Sequence, residues 1–178
     1  VERIWDLVNA IRRTTLKVPP IMGIATDVSH EYHGQPGSRP GRGWVMVRSR
    51  YLTPEHLIRA MKRGDFYASS GVTLNEMAYD SGSRTFTLQI KPESGASYKT
   101  EFVATLDDTA DENRIGRVMA TSTGLSPSYT MRGNELYVRA VVTSDQPPKD
   151  PSFDGQWQQA WTQPVGWKVE ERDLATSQ

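Results

Sequence analysis

A chain of 178 residues, with 21 Lys plus Arg set against 21 Asp plus Glu, is long enough for one sizeable core, or one domain and a fraction of another. The balanced charge removes any global pull toward nucleic acid or an anionic membrane, and no run approaches the roughly 18 apolar residues that a membrane helix requires. The absence of cysteine excludes disulfides and thiolate metal sites.

The chain opens on Val1-Glu2-Arg3 with neither Met nor a signal-peptide pattern, which reads as a processed product or an excerpt. Ile4, Leu7, Val8 and Ile11 then recur at helical spacing, with Arg12 and Arg13 where a helix C-terminus favours cations, predicting a helix over 2–13. Lys17-Val18-Pro19-Pro20 stops it. The apolar run Ile21 to Thr26 lacks polar alternation, which suits a strand buried on both faces of a parallel α/β sheet. A long loop rich in Gly and Pro occupies 27–43, and Trp44 to Val47 reads as the next strand. Thr53-Pro54-Glu55 combines an N-cap hydroxyl, a first-turn Pro and a first-turn acid. With Leu57, Ile58 and Met61 as its apolar face and Lys62-Arg63-Gly64 as its stop, the segment predicts a helix over 54–63.

After Gly71 the pattern changes. Val72 to Tyr79 and Arg84 to Lys91 flank the turn cluster Asp80-Ser81-Gly82-Ser83. Phe86, Leu88 and Ile90 alternate with polar residues, as do Phe102, Ala104 and Leu106, and then Leu136, Val138, Ala140 and Val142. Short strands at this spacing predict an antiparallel β-sandwich. The expected organisation is therefore α/β over residues 1–71 followed by an all-β unit over 72–178.

The chemistry-bearing residues gather in the long loop. Asp27, His30 and His33 follow an apolar run, where α/β sheets and barrels place their active groups, and carboxylate with imidazole suits Zn, Mn or Fe. A polar loop that merely contains His and Asp accounts for the same residues, and one such pair cannot close a catalytic site that needs three protein ligands. Arg39, Arg42, Arg48 and Arg50 offer guanidinium forks for an anion, or solvated charges paired with nearby acids. Tyr67 and Ser69-Ser70-Gly71 suit a pocket wall or a plain turn. Trp157, Trp161 and Trp167 suit a sugar-stacking surface or ordinary packing.

Several pieces stand in an ordered series: Gly23-Ile24-Ala25-Thr26-Asp27-Val28-Ser29-His30, Arg39-Pro40-Gly41-Arg42-Gly43-Trp44-Val45-Met46-Val47, Leu52-Thr53-Pro54-Glu55, and Ile58 through Gly71. Leu136-Tyr137-Val138-Arg139-Ala140 and Ala160-Trp161-Thr162-Gln163-Pro164 close it. The series resembles the terminal section of PHP (polymerase and histidinol phosphatase) hydrolases that carry an appended β-domain, densely before residue 71 and thinly after it. The resemblance implies the last strand–helix units of a distorted (β/α) barrel plus a C-terminal sandwich, in a parent that hydrolyses phosphate esters with divalent ions. It implies His30 and Asp27 as metal ligands, Arg39 and Arg42 as anion contacts, and a small phosphorylated or otherwise anionic substrate.

Two departures accompany it. The family's leading His-x-His motif and middle ligands are absent, so the chain alone is expected to be inactive. The family's closing Asp-x-His motif has Val28 at its acid position, with Asp27 one residue early. In an extended strand, residues 28 and 30 share a face while 27 points away, which makes His30 the better ligand. Residues 1–71, as barrel strands without neighbours, are expected to need covering by an oligomer or a partner chain. The competing reading is a non-catalytic sandwich that binds carbohydrate or a protein partner.

Overall fold

A computed structural model describes residues 2–30, 33–34, 37, 39–108 and 111–167. Helix α1 (Glu2–Ile11) continues into a π-helical turn, Arg12–Leu16, that ends on Lys17 in the left-handed region. Strand β1 (Trp44–Val47), helix α2 (Pro54–Arg63) and strand β2 (Phe66–Ser69) follow. Then come β3 (Leu74–Asp80), β4 (Thr85–Ile90), β5 (Tyr98–Leu106), a 3-10 turn at Glu112–Arg114 and β6 (Arg117–Thr123). Strands β7 (Ser128–Thr130), β8 (Glu135–Ser144) and β9 (Gln159–Thr162) complete the described elements.

The strands form two antiparallel sheets, one ordered β1-β2-β9-β8-β5-β6 and one ordered β3-β4-β7. Their facing sides build the core. Phe86, Leu88 and Ile90 of β4 meet Phe102 and Ala104 of β5 and Val138, Ala140 and Val142 of β8, all nearly inaccessible to solvent. The period-2 reading of these strands and the antiparallel sandwich therefore hold. Strands from both sides of residue 71 share the larger sheet, since β2 pairs with β9 through Tyr67 opposite Thr162 and Ala68 opposite Trp161.

Helix α2 has the bounds that its sequence signals predict, and Gly64 closes it in the left-handed conformation by donating to the Ala60 and Met61 carbonyls. The Thr53 hydroxyl does not cap a backbone amide, however. It bonds to His56 Nδ1 at 2.8 Å, one turn along the same helix. The strand expected at Ile21–Thr26 is absent: residues 17–30 are irregular and join no sheet, and the strand pairings are antiparallel throughout the described residues.

Strand β8 and the second half of β5 are buried on both faces, and α1 lies over the outer side of the larger sheet there. Residues 138, 140 and 142 point into the sandwich, while Tyr137 and Arg139 point to the helix. The Arg139 guanidinium donates from Nε to Asp6 Oδ1 at 2.9 Å and from Nη2 to Asp6 Oδ2 at 2.6 Å. Its Nη1 donates to Glu2 Oε2 at 3.0 Å, and the group lies 5.0 Å from the centre of the Trp5 ring. The Tyr137 hydroxyl donates to Asp6 Oδ1 at 3.0 Å and accepts from Thr105 Oγ1 at 2.8 Å.

Burial raises the Tyr137 pKa, and the adjacent Asp6 charge pushes it the same way. Burial alone would lower that of Arg139, but the hydrogen bonds and charge of Asp6, with Glu2 behind them, reverse the sign. Gly116 makes room for the carboxylate. It sits at φ +61, and a Cβ there would stand 2.6 Å from Asp6 Oδ2.

Removing one member of a buried pair strands the other, so Asp6→Ala should cost about 3–5 kcal/mol in urea denaturation. An Asp6→Leu/Arg139→Met double variant should recover most of that loss, because it leaves no uncompensated charge. A single variant as stable as the parent chain would remove the pair from its structural role.

Candidate functional site

The candidate residues lie on the irregular segment 17–30 and on the loop that leads into β1. Two side-chain amides hold the segment where a neighbouring strand would otherwise be needed. Asn9 of α1 accepts from the Ile21 N–H at 2.8 Å and donates to the Ile21 carbonyl at 3.2 Å. Gln163, just past β9, does the same for Gly23, at 2.8 Å in each direction. An amide carries one donor and one acceptor, as a peptide group does, so both ladder bonds at each residue are replaced. Trp5 Nε1 adds a 2.7 Å bond to the Ile21 carbonyl, and Arg12 Nε a 2.7 Å bond to that of Pro19.

Asp27 closes the loop. Its Oδ1 accepts from the backbone N–H groups of Arg42 at 2.7 Å and Gly43 at 2.6 Å, and Oδ2 from that of Gly41 at 2.9 Å. These donors hold the carboxyl below its ordinary pKa, the Gly43 N–H most strongly, followed by that of Gly41. Gly43 packs so closely on residues 25 and 26 that a Cβ would stand 3.2 Å from the Ala25 side chain.

Val28 has φ +45, a left-handed conformation that a β-branched residue adopts at a cost. Residues 27–30 are consequently not an extended strand. The alternation that placed 28 and 30 on one face, with 27 opposite, does not apply. His30 is exposed, as are His33 and Arg39, whereas Arg42 is half-buried and reaches Asp150 from Nη2 at 3.3 Å.

The structure thus joins Asp27 to Arg42 through the backbone, while Arg48 and Arg50 lie elsewhere. The Arg48 N–H bonds the Asp65 carbonyl, and the Arg50 guanidinium stacks over Tyr51. Asp27 already spends both oxygens on three amides, and Val28 presents an apolar side chain. Among the described residues, no group of three or more His, Asp or Glu is disposed to hold a metal ion. The residues present therefore do not fit a complete metal site.

Other candidates are absorbed by the fold. The Tyr67 hydroxyl accepts from the Leu74 N–H inside the core, and Ser69 Oγ donates to the Val72 carbonyl. Trp161 Nε1 donates to Glu2 Oε1 at 2.7 Å, and Trp167 stacks on Tyr137 with ring centres 5.5 Å apart. Trp157 is half exposed and stands apart from them.

Sequence reasoning missed the amide brackets and the Asp6–Arg139 pair. For the pair no local signal was available: the alternation of Val138, Ala140 and Val142 puts Arg139 on the opposite face, where an exposed arginine is ordinary. No family model, curated protein or solved structure matches this chain.

Two outcomes follow. Because the Asp27 carboxyl is depressed in the folded state, its contribution is complete above the ordinary value of 3.8 and is lost as pH falls through the lower folded value. The amide-proton NMR shifts of Gly41, Arg42 and Gly43 should stay constant at neutral pH and move together only below that ordinary value, while Asp27→Ala should move them at pH 7. Val28→Asn should stabilise the chain by up to about 1 kcal/mol in chemical denaturation, since Asn tolerates the left-handed region. A loss of stability would show that the Val28 side chain makes a contact outweighing the strain.

Proposed function

We propose that this chain is the terminal part of a PHP-type metal-dependent phosphoesterase, in which its sandwich and helix α1 brace a barrel built from sequence beyond this chain. The observation that carries the reading is the orientation of α1. Its apolar stripe faces outward, with Ile4 66%, Leu7 43% and Ile11 45% exposed, while Asp6, Asn9 and Arg13 are buried against the sheet. A surface helix of a self-contained domain does the reverse. Ile21, Ile24 and Val28 of the bracketed segment are also exposed, so the apolar stripe continues in the segment that carries the candidate ligands.

A barrel neighbour covering these residues would bury them and give Ile21–Thr26 the strand partners that Asn9 and Gln163 now replace on one side. The backbone at Val28 supports the same reading. An aspartate, the acid of the family's Asp-x-His motif, adopts φ +45 more readily than valine does. In this view His30 supplies one ligand to a centre whose other ligands, and the divalent ion, lie with the barrel. Arg39 and Arg42 flank the approach of a small phosphorylated substrate.

The test begins with the coding sequence upstream of Val1, where a His-x-His motif is expected. The 178-residue chain should turn over no aryl phosphate with Mn²⁺ or Zn²⁺, and the extended protein should. In the extended protein, His30→Ala should lower metal content by elemental analysis, and Val28→Asp should raise it. Turnover by the short chain that vanishes with His30→Ala would contradict the proposal, as would an upstream sequence without the motif. Independently, Leu7→Lys should leave the thermal midpoint of the short chain unchanged while reducing its self-association in sedimentation.

A further inference from the structure

We infer that the cleft beside β6, at the opposite edge of the larger sheet from β1, binds a small phosphate-like oxyanion through Arg114, Arg117 and Arg132. Its volume of about 350 Å³ falls within the range of small-molecule sites. The three arginines come from three separate elements: the 3-10 turn, the first residue of β6 and the connection between β7 and β8. Arg114 and Arg117 are neighbours across the turn into β6, and tertiary structure brings Arg132 to the same cleft.

The backbone carrying two of them is fixed by two acids. Buried Glu135 accepts from the N–H groups of Arg132 at 3.0 Å and Gly133 at 2.8 Å, and from the Tyr129 hydroxyl at 2.7 Å. Burial pushes the Tyr129 hydroxyl up to about 12, reinforced by its bond to Glu135, so it remains a donor across the physiological range. Asp111, the carboxylate that lines the cleft, accepts from Asn113 N and Nδ2 at 2.9 and 3.0 Å and so caps the turn that bears Arg114.

The guanidinium heads are less occupied. Arg114 reaches Asp107 and Asp108 only at 3.8 and 3.5 Å, and its Nε is buried without an acceptor among the described residues. Arg117 and Arg132 are exposed and have no carboxylate partner within 4.0 Å among the described residues.

Three arginines lining one cleft exceed what one carboxylate can use, since a single fork saturates it. A tetrahedral dianion presents oxygens to several forks at once. Asp111 in the lining, with Asp107 and Asp108 within 4 Å of Arg114, disfavours a long polyanion, whose charge would run past them. A compact ligand of phosphate type is the chemistry that fits.

The experiment titrates inorganic phosphate into the 178-residue chain at constant ionic strength, following arginine Nε–Hε resonances by NMR. Saturable shifts of Arg114, Arg117 and Arg132 are expected, with sulfate competing and chloride inert. Arg117→Gln/Arg132→Gln, at exposed positions that the fold tolerates, should weaken binding by about tenfold or more. Arg59→Gln on α2 should leave it unchanged. Shifts that never saturate, that chloride reproduces, or that survive in the double variant would overturn the assignment.

Discussion

A buried ion pair ties helix α1 to the central strand β8. Asp6 and Arg139 meet across 133 residues, each with its side chain about 2% exposed, and the surrounding groups are arranged to make that burial tolerable. Both carboxylate oxygens face guanidinium nitrogens, Glu2 takes a third, Tyr137 and Thr105 extend the chain of donors, and Trp5 lies against the cation. A pair so enclosed adds little over a well-packed apolar substitute. Its effect is one of orientation: an Arg on β8 that demands a carboxylate accepts α1 in one rotation only, with the acidic side inward. The outward apolar stripe is the geometric remainder of that choice.

From that rotation the rest of the candidate site follows. With Asn9 turned inward beside Asp6, its amide stands where it can bracket Ile21, and Gln163 completes the bracket at Gly23 from the end of β9. Asp27 is then set to gather three amides of the loop before β1. The proposed anion cleft depends on a different device, a buried Glu135 and a capping Asp111, at the far edge of the sheet. In both places acids are spent on backbone amides, which fixes loops and leaves arginines to face outward.

How much of this was legible in the sequence differs by region. Helix 54–63 and the alternating strands at 86–90, 102–106 and 136–142 carry strong local signals: proline and glycine at the helix ends, and a period of two that only a sheet satisfies. They appear where expected. The run Ile21 to Thr26 misled because an apolar stretch suggests a buried strand, whereas Ile21 and Ile24 are exposed and the backbone is held by side-chain amides. The amides that serve as its neighbours lie 12 and 140 residues away. Helix α1 was legible as a helix, but its periodicity cannot say which face turns inward; that is decided by an arginine far along the chain. At Asp27, residue type suggested a ligand, whereas three nearby N–H groups give the carboxylate a structural task. No local pattern distinguishes the two.

The order of strands in the larger sheet also governs how the protein can be made. Strand β9 lies between β2 and β8, near the middle of the sheet, although it comes last among the described strands. Some 90 residues separate Ser69 from its partner Gln159. On a ribosome adding about 5–20 residues per second, β2 waits roughly 5–20 s with an unpaired edge before β9 emerges to close the gap. Until then, β1 and β2 cannot join the rest of the sheet, and the Trp161 contact to Glu2 is missing from the helix that covers it. Folding of the larger sheet is thus held back by topology until β9 has emerged, and for those seconds the nascent chain presents an open strand edge to chaperones and to other nascent copies.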